Sequence, residues 1–150
     1  MSRARTLCAL VAGLAVLLVP APPLWAQAGA DADWKVLTVA GNGAWGLSTA
    51  RSQGEAIAAA VQQCQLRSAG QDDCGADLVA YRIGWALAIL CGDHRVLVSA
   101  GDLDEAETAA DQRLAALEQS EPDGLPECRR LLTISPVGGI TTDRARRPRG

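Results

Sequence analysis

A chain with a single histidine has few ways to move a proton. That residue, His94, lies in the run Gly92-Asp93-His94-Arg95. A serine-type hydrolase would need it as a base, beside a nucleophile and an orienting carboxylate. No Gly-x-Ser-x-Gly elbow accompanies it, so it reads as a solvated turn residue. The carboxylates are better grouped: Asp102, Asp104, Glu105 and Glu107 crowd one stretch, as the paired acids of a glycosidase would. Their spacing also fits a plainer duty, because Asp102 followed three residues later by Glu105 is a helix-opening pattern. Acids in a first helical turn contribute about 0.3 to 1 kcal/mol each through capping and the helix dipole. The pair Asp72-Asp73, in Gln71-Asp72-Asp73-Cys74-Gly75, lacks the ladder of oxygens that a calcium loop requires. There is no phosphate-binding Gly loop ending in Lys-Ser/Thr and no dinucleotide fingerprint. With one histidine and no close Cys-x-x-Cys pair, a zinc site is not expected either. The expectation is therefore no metal and no cofactor.

The compartment follows from the first residues. Arg3 and Arg5 precede an apolar run from Leu7 to Val19, then Pro20, Pro22 and Pro23, and then Leu24-Trp25-Ala26-Gln27-Ala28. This is the order of a secretory signal peptide over residues 1–28, cleaved after Ala26 or Ala28. The run is shorter than the roughly 20 residues of a spanning helix. Loss of the signal removes two of 14 basic residues and none of 17 acidic ones, leaving about minus five. That sign argues against nucleic acid as a partner. Arg144, Arg146, Arg147 and Arg149 crowd residues 136–150, read as a disordered basic tail that offers a weak contact to an anionic surface. Cys8 leaves with the signal, and Cys64, Cys74, Cys91 and Cys128 remain. An even number in a small exported chain implies disulfides, which makes a cysteine nucleophile improbable. Two arrangements compete: Cys64 with Cys74 and Cys91 with Cys128, or Cys74 with Cys91 and Cys64 with Cys128. The first is favoured because short loops close easily.

The elements that position these residues are written twice in residues 29–135. Trp34 to Ala40, the turn Gly41-Asn42-Gly43, a second strand from Gly43 to Ala50, and Ser52-Gln53-Gly54-Glu55-Ala56 correspond to Trp85 to Cys91, Gly92-Asp93-His94, a second strand, and Asp102-Leu103-Asp104-Glu105-Ala106. The offset is 51 at the tryptophans and 50 at the caps, so one residue is lost in or just after the turn. Each helix then leads through a polar loop to a cysteine and an apolar run, Leu78 to Tyr81 and Leu131 to Ile134. The pseudo-repeats are 34–81 and 85–135. Ala56, Ile57, Ala60, Val61 and Cys64 share one helical face; Leu103, Ala106, Ala110, Leu114 and Leu117 do so in the second copy. Arg82-Ile83-Gly84 reads as a tight hairpin joining the copies. The expected architecture is α+β: an antiparallel sheet of about six strands with two helices on one face, from a tandem strand-strand-helix-strand duplication stapled by disulfides. Trp45 reads as core, since the chain has no Phe, with an exposed aromatic on a ligand surface as the alternative.

Trp34 to Val39, Gly43-Ala44-Trp45-Gly46, Ala56 through Ala60 to Cys64, Cys74, and Trp85-Ala86-Leu87-Ala88 together resemble the small exported bacterial domains grouped as domain-of-unknown-function family 4189. The likeness covers Trp34 to Ser99, and implies export and a compact disulfide-bearing domain. Similar proteins carry a cysteine just before the Ala-Leu-Ala segment, where this chain has Trp85, so their pairing is not carried over. No common activity is established for the group. The functional expectation is a monomeric exported non-enzymatic module that binds another macromolecule, a protein, as an inhibitor or immunity-type partner. Trp45, His94 and Arg95 are its candidate surface. The alternative is a small periplasmic hydrolase of cell-wall or carbohydrate material using the acids around Asp102.

Overall fold

A computed structural model describes residues 32–69 and 73–142. The expected signal peptide (1–28), the tail arginines Arg144, Arg146, Arg147 and Arg149, and Asp72 lie outside the described residues.

The first half forms β1 (Trp34–Val39), β2 (Trp45–Ala50), α1 (Gln53–Arg67) and β3 (Leu78–Tyr81); the second forms β4 (Trp85–Cys91), β5 (His94–Ala100), α2 (Leu103–Ser120) and β6 (Cys128–Ile134), followed by β7 (Ile140–Thr141). The α+β class, the antiparallel pairing and the disulfide staples are as expected, and strand order repeats between halves: β2-β1-β3 and β5-β4-β6-β7. The pairing register shows where the missing residue went. Val39 pairs with Trp45 and Leu90 with Arg95, enclosing residues 40–44 in the first copy and 91–94 in the second. The deletion therefore sits in the turn, where a change of length disturbs no ladder. Both helices open as their sequences dictate. Ser52 Oγ accepts from the Glu55 amide at 3.3 Å and Asp102 Oδ1 from the Glu105 amide at 2.8 Å.

Two expectations are corrected. The strands form two sheets instead of one, and the helices lie on opposite outer faces. Leu37, Val39 and Tyr81 from the first sheet meet Ala86, Ala88, Leu97, Leu132 and Ile134 from the second in a buried core between them. Val36 faces the other way onto Ala56 and Ala60 of α1, while Leu87, Ile89, Val96 and Val98 face Ala106 and Ala110 of α2. The result is four layers, helix, sheet, sheet, helix. The cause is visible in β4, whose seven residues Trp85-Ala86-Leu87-Ala88-Ile89-Leu90-Cys91 are all apolar. Side chains alternate between faces of a strand, so such a run needs an apolar layer on both sides. Helices on one face would leave the other wet.

The second correction follows from the first. Arg82-Ile83-Gly84 is a crossing between sheets, since β3 pairs with β1 and β4 pairs with β5 and β6. Gly84 makes it possible: its φ is +110°, and a Cβ there would lie 2.0 Å from the Ala100 carbonyl oxygen.

Small residues bring α1 onto its sheet. Ala56, Ala60 and Cys64 are fully buried, and Gly46 on β2 sits under them. Ile57, Val61, Leu103, Leu114 and Leu117 are half-buried beside these stripes. Edge strands are guarded by arginines from the helices: Arg67 donates to the Trp45 carbonyl at 2.6 Å on β2, and Arg113 to the Leu97 carbonyl at 2.6 Å on β5. Such contacts occupy groups that would otherwise recruit a foreign strand.

The disulfides adopt the local arrangement. Cys64–Cys74 ties the end of α1 to the loop before β3, with Cα atoms 5.8 Å apart. Cys91–Cys128 joins directly paired positions on β4 and β6. The two are not copies of each other, because Ala40 and Leu114 stand at the repeat positions of Cys91 and Cys64.

Candidate functional site

The turns of both halves, both disulfides and most of the unusual polar contacts gather at one end of the sandwich. The segment entering β3 is held there by Cys74 and by Thr38, whose Oγ1 accepts from the Gly75 amide at 2.9 Å and donates to the Asp77 carbonyl at 2.7 Å. This fixes Asp73 and Asp77 in front of β5. Arg95, at the start of β5 and only 15% exposed in its side chain, donates through Nε to Asp77 Oδ2 at 2.7 Å and through Nη1 to Asp73 Oδ2. Asp73 Oδ2 also accepts from the Gly41 amide at 2.7 Å, so one carboxylate ties the β1–β2 turn to the second sheet. Asn42 completes the knot, donating to the Ser68 carbonyl at the end of α1 at 2.9 Å.

The chemistry of this cluster is that of an ion network in which Asp73 Oδ2 is engaged by Gly41 and Arg95, while Asp73 Oδ1 is buried without a hydrogen-bond partner. The Gly41 amide, helped by the Arg95 guanidinium, holds the Asp73 carboxyl below its ordinary pKa, against the upward push of burial. A depressed folded pKa means stability that is present above the unfolded value of about 4 and lost as pH falls through the folded value. Asp73→Asn is therefore expected to lower the urea midpoint at pH 7, with the gap to the parent closing as the pH is taken well below 4. A constant gap across that range, followed by tryptophan fluorescence, would show that the charge of Asp73 is irrelevant.

The three residues expected to form a contact surface are placed in three different environments. Trp45 is half-buried against the core between the sheets, and the Arg67 guanidinium lies 4.3 Å from its ring centroid. Arg95 points into the network just described. His94 turns the other way along β5, with Nε2 at 3.4 Å from Glu121 Oε1 beyond α2, and its side chain is 39% exposed. Cys64, Cys74, Cys91 and Cys128 are all spent in disulfides. Reasoning from the sequence missed Asp77 and Thr38. Arg95 lies 18 residues from Asp77 and 22 from Asp73, so no local pattern links them.

No protein-family model matches the chain, and no curated protein does. A solved structure, the NMR structure of Rv1813c from Mycobacterium tuberculosis, is similar over 84% of this chain and 99% of that one, at 17% identity and a TM-score of 0.42.

Two further features lie outside the network. Tyr81 is buried in the core between the sheets with no hydrogen-bond partner for its hydroxyl, and burial raises its pKa to about 12. On the opposite face of the second sheet, an open groove of about 380 Å³ runs between α2 and β5, with Val96, Ala116 and Leu117 beside Arg113. Among the described residues no cluster of His, Cys, Asp and Glu has the makings of a metal site, and no helix is long and apolar enough to cross a membrane.

Proposed function

We propose that this chain is an exported, non-enzymatic module that binds a partner protein, in the manner of an inhibitor or immunity-type protein, and that it belongs with the family it resembles. Residues 1–28 act as the signal, and the mature protein works in the periplasm or outside the cell. Both disulfides suit an oxidising compartment of that kind. The observation that supports a binding role is the employment of the acids. Asp102 receives the Glu105 amide at the head of α2, and Glu107 pairs with Arg130 of β6 at 2.8 Å, so this group stabilises a helix and its contact with the sheet. The groove between α2 and β5 offers apolar wall with a cation at its rim, which suits an apolar segment carrying a carboxylate.

The rival is a small hydrolase of cell-wall or carbohydrate material that uses Asp102 and Glu105. Alanine at either position separates the two. Asp102→Ala is expected to cost about 1 kcal/mol of stability, read as a lower melting temperature, and to leave capture of envelope proteins by the mature domain unchanged. Loss of a measured turnover on wall polymer, with the fold intact, would decide for the hydrolase.

A further inference from the structure

The four disulfide cysteines are not equally open. Cys64 and Cys91 are fully buried and Cys74 nearly so at 9%, but Cys128 is exposed. We propose that Cys128 is a thiol-exchange site, at which a low-molecular-weight thiolate opens the Cys91–Cys128 bond and leaves a mixed disulfide, while Cys64–Cys74 stays closed.

Exchange requires a thiolate to reach one sulfur of the bond, so access to that sulfur governs which disulfide reacts. Cys64 and Cys74 are packed together with Ala40, Ala44 and Val61, and are 0% and 9% exposed. Cys128 opens β6 after residues 121–127, which form neither helix nor strand, and its neighbours Glu127 and Arg129 are exposed too. The incoming thiolate forms a bond to Cys128 Sγ, the Cys91–Cys128 bond breaks, and its electron pair leaves on Cys91 Sγ, which takes a proton from water. No oxidant is consumed, since one disulfide replaces another.

The environment of the leaving sulfur sets the character of the site. Cys91 is held among Leu87, Ile89, Val96 and Val98, where a thiolate is poorly solvated. A poor leaving group makes exchange slow, and the pairing of β4 with β6 keeps Cys91 opposite Cys128 and ready to expel the added thiol. The ladder beyond it, Ala86 with Ile134 and Ala88 with Leu132, remains to hold β6 in place. Modification is therefore local and reversible.

The test uses the native oxidised protein with reduced glutathione under anaerobic conditions, stopped with acid, then unfolded in excess iodoacetamide so that the buried Cys91 thiol is alkylated, and mapped by peptide mass, beside a denatured control. Expected are glutathione on Cys128, carbamidomethyl on Cys91, and opening of this bond at least roughly tenfold faster than Cys64–Cys74. Glutathione on Cys91, equal rates for the two disulfides, or no opening at a concentration that modifies the denatured control would each overturn the proposal.

Discussion

Gly46→Ala is expected to be the most damaging single methyl in the molecule. A Cβ at this position would stand 1.8 Å from the Ala60 carbonyl oxygen and 2.8 Å from the Cys64 amide nitrogen, both backbone atoms of α1. No rotamer relieves such a contact, so either the helix lifts from the sheet or the chain fails to fold. Lifting α1 would uncover Val36, Ala56 and Ala60, all fully buried, and strain the Cys64–Cys74 tie. A loss of about 4 kcal/mol or more is expected, a large part of the 5–15 kcal/mol that holds a typical domain together. Gly84→Ala belongs to the same class, since its methyl meets the Ala100 carbonyl at 2.0 Å and its φ of +110° suits glycine alone. Gly54, in the first turn of α1, has open space around it. Gly54→Ala is expected to leave stability unchanged or raise it by up to about 1 kcal/mol through helix propensity. Urea unfolding of the three variants checks the ordering; a folded Gly46→Ala protein with the parent's midpoint would mean that α1 does not sit where it is described.

The second large effect concerns the disulfides. Removing Cys91–Cys128 by paired alanine substitution is expected to cost about 4 kcal/mol and removing Cys64–Cys74 about 3 kcal/mol, on chain-entropy grounds. The longer bond spans 37 residues and encloses β5 and α2, whereas the shorter spans 10. Truncation leaves a hole at buried Cys91 and at buried Cys64 alike, so the expected order rests on the length of the closed loop. Unfolding midpoints of the two double variants should therefore fall in that order. The reverse order would show that the short tie between α1 and the β3 loop, and with it the Asp73–Arg95 network, dominates.

How much of this was legible depended on the range of the interaction. Ser52 and Asp102 announced their helices because a cap involves residues three apart. The one-residue offset between copies was legible too, and its place in the turn followed from the ladder. Long-range choices were not. The crossing at Arg82-Ile83-Gly84 has the length of a hairpin turn, and only the packing of Gly84 under Ala100 distinguishes the two. A hint was present in β4, whose unbroken apolar run demands cover on both faces, and in β1, where Val36 and Leu37 are both apolar but face opposite layers. Arg95 looked like a surface residue because it follows a turn; its partners arrive from a loop that the Cys64–Cys74 bond positions. Trp45 was read as core, and it is half-buried there with Arg67 over its ring.

The central claim is that two copies of one strand-strand-helix-strand unit pack sheet to sheet, each with its helix outside. Methyl nuclear Overhauser contacts in the oxidised protein test it most directly. Leu37 and Val39 should contact Ala88 and Leu132, while Val36 contacts Ala56 and Ala60. Contacts from Leu37 to a helix, or backbone cross-strand contacts between Tyr81 and Trp85 of the kind a β3–β4 hairpin gives, would contradict it.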